Sequence, residues 1–346
     1  MDKEINNIPD TTEILELRNS ELKISTHENY IFAATSQNTR NAYQADIRHF
    51  IAWGGFLPTS SDVVMCYLHE HAKTLNTRTL TRRLTALRNW HQYQGFNDPT
   101  AHSAIRKTLV GIKNIHGKPK NKAVALTLET LTIMVMHLKK SNRLIDYRNC
   151  ALLQLGFFGA FRRSELIEIT WEAIRFVKEG IEILIGRSKT DQGGDGQVCA
   201  IPYGDGVLCP VTALINWREQ SQNGSGYVFR QVKKTMITPV GIKPRQVNEL
   251  LKSIAKACDL PDAGNYSGHS LRRGFATEAS KNNVPFASIK RQGRWRSDGS
   301  VLGYIDEGKR FDQNAAGMML NLKRSTNEQI DQDRQEKQNK ETTNSA

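Results

Sequence analysis

The sequence predicts a mainly α-helical protein of the α+β class, with a helical N-terminal domain and a larger, mostly helical domain that contains a small β-sheet. Apolar residues recur at helical spacing along most of the chain, while one stretch near residue 190 alternates as a β-hairpin does. A basic stretch with glycine and proline separates the two halves. With 346 residues, 38% of them hydrophobic, the chain can form two domains with separate cores.

The N-terminal domain is predicted over residues 25–115, after a weakly ordered segment at residues 1–24. Its apolar residues repeat every three or four positions, which predicts four helices with one buried face each. Ser60 is expected to cap the second helix, because a serine hydroxyl can accept from the free N–H groups of a first turn. The predicted core positions are Tyr43, Ile47, Phe50, Ile51, Val63, Val64, Tyr67, Leu68, Leu80, Leu84, Leu87, Trp90, Ile105, Leu109 and Ile112.

Residues 116–126 are predicted to be a basic linker, because His116–Val124 contains Gly, Pro and three lysines; a plain surface loop is the alternative. The second domain is predicted over residues 127–322, and Thr127 is a plausible N-cap for its first helix. A polar tail at residues 323–346 is expected to be disordered. Helices are predicted at about 128–140, 144–158, 210–221, 244–258, 270–282 and 285–293.

The β-hairpin is predicted between Ile181 and Ile201. Ile181, Ile183 and Ile185 alternate with other residues, as they would on the buried face of a strand. The glycine-rich sequence GRSKTDQGGDG follows and suits the tip of the hairpin.

The charge of the chain points to a polyanionic partner. The net charge is +13, although residues 1–24 carry three basic and six acidic residues, so the basic excess lies in the body of the protein. Nucleic acid is the usual partner of such a body, and a soluble protein that happens to be basic is the alternative.

Other classes of site find little support. No apolar run is long enough to span a membrane. The five scattered cysteines form no CxxC motif and suggest reduced thiols of an intracellular protein. His69 and His71 are two residues apart, so a helix would point them to different faces, and we interpret them as surface residues rather than metal ligands.

Five short motifs follow one another in the second half of the chain. GAFRRSEL contains Arg162, GRSKT contains Lys189, and SGHSLRRGFAT contains His269 and Arg272. QGRWRS contains Trp295, and VLGYID contains Tyr304. Each motif alone is weak, because a lone Arg is usually a solvated charge and a lone Tyr or Trp is usually packing. Their order and spacing together carry the signal.

As a set, these motifs resemble the tyrosine recombinase (phage integrase) family, and their residues are closest to those of its Cre-like branch. The resemblance covers roughly residues 25–322 and implies a helical core-binding domain followed by a catalytic domain. It implies Tyr304 as nucleophile, with Arg162, Lys189, His269, Arg272 and Trp295 as the other catalytic residues. Two departures stand out. Ala160 occupies a position where glycine is common, and Arg163 and Arg273 leave open which arginine of each pair faces the site.

The residue types suit strand cleavage by a side-chain hydroxyl. Two guanidinium groups, those of Arg162 and Arg272, can bind the extra charge of the pentacoordinate phosphate without a metal ion. A phosphotyrosine ester keeps the bond energy of the DNA backbone, so no ATP is required and no cofactor is expected. The tyrosine pKa is ordinarily near 10, so His269 is the candidate proton acceptor, with Lys189 as the acid for the leaving 5′ oxygen and Arg187 close beside it.

Supporting contacts are predicted outside the reacting groups. Glu165 is a candidate to orient Arg162, with a surface ion pair at i,i+3 as the equal alternative. The apolar segment 311–322 is expected to pack into a neighbouring protomer of a tetramer on two paired DNA sites, or else onto its own domain. The candidate DNA contacts are Arg40, Arg82, Arg83, Arg88, Lys118, Lys120 and Lys122.

The sequence therefore predicts a site-specific recombinase of double-stranded DNA with inverted-repeat sites. We expect it in the cytoplasm, associated with the nucleoid, in a prokaryote or encoded on a phage or plasmid. A type IB topoisomerase and a telomere resolvase are alternatives with the same cleavage chemistry. The compact size of the chain and its Cre-like motif residues argue against both. A DNA-binding regulator or architectural protein without catalysis is the rival from another class, and an unrelated basic helical protein is the last.

Overall fold

Helices dominate both halves of the chain, as the sequence predicts. In this computed structural model the chain divides into two units, Met1–Asn121 and Lys122–Ala346, each with its own apolar core. The predicted fold class, mainly helical with small antiparallel sheets, is confirmed. The structure describes residues 35–119, 123–186, 196–234, 236–308, 315–316 and 319–320.

Within residues 35–119, the first unit contains the four predicted helices. The Ser60 side chain accepts a hydrogen bond from the backbone N–H of Val63, which confirms the predicted cap. The helices are α1 Gln37–Ala52, α2 Ser61–His71, α3 Thr77–Tyr93 and α4 Ser103–His116, with a 3₁₀ turn at Pro99–Ala101 before α4.

The core of this unit follows the predicted stripes with two corrections. Ile51 is 52% exposed. The buried face of α1 contains Ile47 and Phe50, and the side chain of Ile51, one residue further on, points away from that face. Trp90 is half-buried, and its neighbour His91 takes the interior position. His91 is held there because its ring contacts the carbonyl of Leu87 at 2.8 Å and accepts from the backbone N–H of Thr59 at 2.9 Å.

Asp46 anchors two arginines inside the first unit. Its side chain is 2% exposed and accepts two hydrogen bonds from Arg82, at 2.7 and 2.8 Å. Arg83 lies 3.5 Å away and donates to the hydroxyl of Tyr67 at 2.7 Å, while its own side chain is only 11% exposed. Arg83 therefore connects α1, α2 and α3, which disfavours the predicted DNA contact for this residue.

The buried carboxylate of Asp46 is expected to contribute strongly to stability. In the Asp46→Ala variant Arg83 stays buried without its counter-ion, so the free energy of unfolding should fall by about 3 kcal/mol. Urea unfolding followed by circular dichroism measures this loss. Glu249→Ala is the control, because Glu249 pairs with Arg245 on an exposed face, and it should cost less than about 0.5 kcal/mol. Equal losses for the two variants would contradict the assigned role.

The second unit contains the six predicted helices, with bounds close to the expected ones. Thr127 caps the first of them through its hydroxyl, as predicted. Two further helices, Arg163–Glu168 and Asp298–Gly308, were not predicted. In chain order the helices are α5 Leu128–Lys139, α6 Leu144–Phe158, α7 Arg163–Glu168, α8 Pro210–Ser221, α9 Pro244–Ala257, α10 Gly268–Lys281, α11 Phe286–Gly293 and α12 Asp298–Gly308; short 3₁₀ turns cover Trp171–Ala173 and Ala263–Asn265.

The predicted hairpin is confirmed as part of a three-stranded antiparallel sheet. Strands β2 Gly180–Ile185 and β3 Gln197–Pro202 pair in register, and β1 Ile174–Val177 adds an unpredicted edge to β2. The isoleucines of β2 face the core, because successive side chains of a strand point to opposite faces. A second sheet of two strands, β4 Arg230–Lys233 and β5 Met236–Gly241, was also not predicted.

Helix α6 is the central element of the second unit. Most of its residues are buried, including the charged Asp146 and Arg148, because α5, α8 and α10 all pack against it. Its C-terminal end, at Phe158, lies where the functional side chains gather. The predictions for residues 1–24 and 323–346 fall outside the described residues, and so does most of the predicted packing segment 311–322.

Candidate active site

A tight turn after α6 presents the first arginine motif. The chain leaves the helix at Gly159, and Ala160 adopts a left-handed conformation with φ of 45°. Left-handed backbone favours glycine, which fits the departure noted for Ala160. Arg162 then has extended backbone and is the N-cap of α7.

Glu165 holds Arg162 from the first turn of α7. One of its oxygens accepts from the Arg162 backbone N–H at 3.0 Å, and the other accepts from the Arg162 guanidinium. The Glu165 side chain is 6% exposed, so the pair is not the solvated surface pair that stood as the alternative. Burial raises the pKa of Glu165, but the hydrogen bonds from Arg162 and the charge of Arg294 outweigh this and hold it below its usual value.

The second arginine motif lies at the start of α10. His269 and Arg272 are three residues apart, so they share one face of the helix. The Arg272 guanidinium donates to the carbonyl of Ala160 and stacks over the Trp295 ring, 4.1 Å from its centroid. Arg273 instead donates to the carbonyl of Ala123. Of these two arginines, it is therefore Arg272 that lies beside Ala160 and Trp295, while Arg273 points away from them.

Arg272 is a desolvated cation. It is 4% exposed, and burial together with the charge of Arg162 lowers its pKa to about 9. The charges of Glu165 and Tyr304 raise the pKa of Arg272, while the charge of Arg294 lowers it further. Because a guanidinium is a very strong base, we expect it to remain charged at neutral pH, where an anion would relieve the cost of its burial.

Tyr304 lies on α12, which packs against α10. Its hydroxyl is 2.9 Å from Nε2 of His269, a hydrogen-bonding distance. The ring packs beside Trp295, with the ring centroids 6.1 Å apart. These groups share one pocket, which is lined by Phe161, Arg162, Arg163, Asn248, Ser267, Gly268, His269, Arg272, Trp295, Ser300 and Tyr304.

Trp295 reaches this pocket through a fold in the chain after α11. Gly293 packs directly under the indole, so that a Cβ there would lie 1.7 Å from the ring. Arg294 then turns the chain with a left-handed φ of 54°. The motif QGRW therefore requires a small residue and a turn immediately before the tryptophan.

Arg294 was not singled out by the sequence analysis, yet it is central to the site. Its side chain is 5% exposed, and one guanidinium nitrogen lies 3.2 Å from Glu165. Asn248 was also missed; its side-chain oxygen accepts from the backbone N–H of Gly268 at 2.9 Å and fixes the start of α10. Sequence offered no sign of either role, because both depend on contacts between distant segments.

Lys189 lies outside the described residues, as does its neighbour Arg187, so its predicted role stays a prediction. The strands that flank it are described. The side chain of Gln292 donates to the carbonyls of Phe158 at 3.0 Å and Ala200 at 3.1 Å. The base of the hairpin is therefore tied to the end of α6, beside the arginine turn.

The predicted DNA contacts fall into several groups. Arg82 and Arg88 are half-exposed, and they pair with Asp46 and Asp98 respectively. Arg40 is partly buried and donates to Gln37, whereas Lys118 is exposed. Lys120 and Lys122 lie outside the described residues.

The described residues give little support for other classes of site. The described residues contain no group of three or more His, Cys, Asp or Glu side chains suited to a metal ion. In the same part of the chain, no helix has the length and apolar character needed to cross a bilayer. His69 is exposed, but His71 is half-buried, with its ring 4.6 Å from that of Tyr67, so the prediction of a surface position is wrong for His71.

The assembled groups can bind a phosphate and activate a hydroxyl beside it. Arg162 and Arg272 converge on one pocket, and guanidinium groups bind phosphate oxygens through paired hydrogen bonds. The tyrosine hydroxyl in that pocket already contacts a ring nitrogen that can accept its proton. This arrangement suits nucleophilic attack on a phosphodiester.

Comparison with known proteins agrees with this chemistry. Residues 126–310 match the model of the phage integrase family, and residues 25–94 match that of the phage integrase N-terminal SAM-like domain. The chain is 32% identical over 296 residues to an integrase/recombinase XerD homolog of Selenomonas ruminantium, with 83% of this chain and 86% of the relative covered. It is 24% identical to recombinase Cre of Escherichia phage P1, with 79% and 84% covered.

Solved structures share the fold. A lambda integrase dimer bound to a COC′ core site matches with a TM-score of 0.57 at 14% identity, covering 87% of this chain and 82% of that one. The Tn1549 transposon integrase in complex with circular intermediate DNA matches with a TM-score of 0.58 at 15% identity, covering 87% and 98%. The resemblance predicted from the five motifs is confirmed.

Proposed function

This chain belongs to the phage integrase family and is a tyrosine-type site-specific DNA recombinase, and on that premise we propose that Tyr304 is the nucleophile that cleaves and rejoins the strands. The contact between the Tyr304 hydroxyl and Nε2 of His269, at 2.9 Å, carries this proposal. The hydroxyl attacks the scissile phosphorus, and its proton passes to His269. A 3′-phosphotyrosyl bond forms and the 5′ oxygen leaves.

Arg162 and Arg272 bind the non-bridging oxygens of the scissile phosphate in this scheme. Their convergence on the pocket of Tyr304 supports the role, and so does the burial of Arg272, because charged donors act more strongly away from water. Trp295 keeps Arg272 in place by stacking and offers its indole N–H to the same phosphate. Glu165 fixes the direction of Arg162.

Lys189 protonates the leaving 5′ oxygen in this proposal. The support is indirect, since β2 and β3 hold the hairpin base beside the site through Gln292. A lysine suits the task because an ammonium group can deliver a proton and recover it in the reverse step. Arg187 is less suited, because a guanidinium keeps its protons.

DNA binding by both halves of the chain completes the proposal. The lambda integrase and Tn1549 integrase structures with this fold were solved with DNA, and the net charge of +13 suits a duplex. Lys118 and the exposed faces of Arg82 and Arg88 are the best-supported contacts to phosphate, followed by Arg40. Lys120 and Lys122 extend the same basic stretch.

The recombinase acts as a tetramer on two paired inverted-repeat sites in this proposal, and the segment 311–322 packs into a neighbouring protomer. Two described residues of the segment support this, because Met319 is 63% exposed and Leu320 is 66% exposed. Exposed apolar side chains at adjacent positions are available for such a contact. The proposed setting is the cytoplasm, in association with the nucleoid, of a prokaryote that encodes the protein itself or carries it on a phage or plasmid.

The test begins with footprinting on DNA that flanks the gene. An inverted repeat with a central spacer is the expected site, and a nicked duplex of that site should trap a covalent protein–DNA adduct. Protease digestion and mass spectrometry should then assign the nucleotide to the peptide that contains Tyr304. Binding without an adduct would favour the regulator hypothesis, and relaxation of plasmids that lack the site would favour a topoisomerase.

A further inference from the structure

We propose that Arg294 is a positioning residue for the two arginines that bind the scissile phosphate. The inference rests on the proposed cleavage function. Arg294 is the C-cap of α11, immediately before Trp295, and its guanidinium turns inward beneath the Ala160–Arg162 turn. It stacks over Phe161, 4.8 Å from the ring centroid.

The guanidinium of Arg294 closes the end of α6. It donates to the carbonyl of Gly159 from both terminal nitrogens, at 3.2 and 3.1 Å, and to that of Ala160 at 3.5 Å. A fourth bond goes to the carbonyl of Gln292 at 2.7 Å. The last carbonyls of a helix have no partner within the helix, so a cation there satisfies them. Arg294 thereby fixes the left-handed turn from which Arg162 departs.

Arg294 also completes a ring of contacts with Arg162. Its guanidinium donates to Glu165 at 3.2 Å, on the oxygen that accepts from the Arg162 backbone. In return, the Arg162 guanidinium donates to the Arg294 carbonyl at 3.3 Å. Both the side chain and the main chain of Arg294 therefore restrict the direction of Arg162.

The second phosphate-binding arginine shares an acceptor with Arg294. The carbonyl of Ala160 accepts from Arg272 and from Arg294, so a shift of this turn would displace both active-site guanidinium groups. Arg294 itself does not line the pocket of Tyr304, and its side chain is 5% exposed. It acts through its neighbours and does not touch the phosphate.

Lysine cannot replace this residue, because an ammonium group cannot reach Gly159, Gln292 and Glu165 at once. Two variants test the role. Arg294→Lys keeps the charge, and Arg294→Gly suits the left-handed backbone, so the turn itself stays accessible. Arg296→Ala is the matched control, since Arg296 is exposed and lies two residues away.

The measurement is the single-turnover rate of adduct formation on a nicked site at saturating protein. Both Arg294 variants should be slower by about 10- to 100-fold, with DNA affinity within about twofold of wild type. Arg296→Ala should cleave within about twofold of wild type. Melting temperatures show whether each variant is folded, and if both Arg294 variants unfold, the residue is structural and the proposal fails.

A double-mutant cycle with Glu165→Gln separates positioning from a general loss of rigidity. Because Arg294 acts in part through Glu165, the loss from adding Arg294→Gly to Glu165→Gln should be at least about threefold smaller than the loss that Arg294→Gly causes in the wild-type background. An equal loss in both backgrounds would overturn the proposal, as would full activity of Arg294→Gly. Failure of the wild-type protein to form any adduct would instead refute the proposed function, so the two failures are distinct.

Discussion

Replacing Tyr304 by phenylalanine is expected to abolish covalent adduct formation, a loss of about ten-thousandfold or more. The change removes one oxygen atom, the one that lies 2.9 Å from Nε2 of His269 and that forms the bond to phosphorus in the proposed reaction. The ring would keep its contacts with the small cluster around Trp295 and Val301, so the fold should be retained. Trapping on a nicked site, resolved by denaturing electrophoresis, measures the loss.

DNA binding provides the internal comparison for this variant. Gel-shift affinity of Tyr304→Phe should stay within about threefold of wild type, because the phosphate contacts come from arginines and lysines. Tyr203→Phe is the control, as Tyr203 is in the same unit, half-exposed, and does not line the pocket. Adduct formation by Tyr304→Phe at the wild-type rate would show that the assigned nucleophile is wrong.

Much of the fold could be predicted because local sequence patterns mark its helices and strands. In the helices of the first unit, apolar residues recur every three or four positions. Ser60 and Thr127 mark the starts of two helices, because their side chains cap the first turn. The hairpin was visible from three isoleucines at alternate positions. The second sheet was not visible, because β4 is short and mixes charged with apolar residues, and β5 contains a proline, which is rare within a strand. Strand pairing there depends on tertiary contacts.

Helix α12 was missed for a similar reason. Its sequence, DGSVLGYIDEG, contains three glycines, which lower helix propensity, and among residues 298–305, whose side chains are described, only Val301 is fully buried. The helix forms because α10 and α11 provide a surface for Val301, Tyr304 and Ile305. Tyr304, the proposed nucleophile, was therefore predicted from motif order without a prediction of the helix that carries it.

The site residues could be predicted as types, but not their mutual support. Arg162, His269, Arg272, Trp295 and Tyr304 were named from the motifs, and the structure gathers them in one pocket. The turn at Ala160 and the buried Arg294 depend on contacts between segments more than 100 residues apart in sequence. Such contacts follow from packing and leave no periodic signal.

The burial of several arginines has a consequence for stability. Arg162, Arg272 and Arg294 lie close together, and within the described residues of this cluster Glu165 is the carboxylate that pairs with two of them. A site that binds a phosphate must hold positive charge before DNA arrives, so the free protein carries repulsion that DNA relieves. Binding sites of this kind often sacrifice stability for function.

Arg272→Gln is expected to reduce adduct formation by about a thousandfold or more while leaving the free protein as stable as wild type, or more stable. Burial lowers the pKa of Arg272 to about 9, so the folded state disfavours its charge relative to the unfolded state. At pH 7 the group is charged in both states, so the full cost of burying its charge is present. Glutamine removes this cost and keeps an N–H for the carbonyl of Ala160.

Arg273→Gln is the matched comparison, because Arg273 is also 4% exposed but donates to Ala123 and does not line the pocket. It should lower the melting temperature, by the equivalent of about 1–3 kcal/mol, and cleave within a few-fold of wild type. Added site DNA should raise the melting temperature of the wild-type protein more than that of Arg272→Gln, since only the wild type has the buried charge that phosphate compensates. Equal DNA-induced shifts, or cleavage by Arg272→Gln within tenfold of wild type, would refute the claim that Arg272 holds an uncompensated charge for the phosphate.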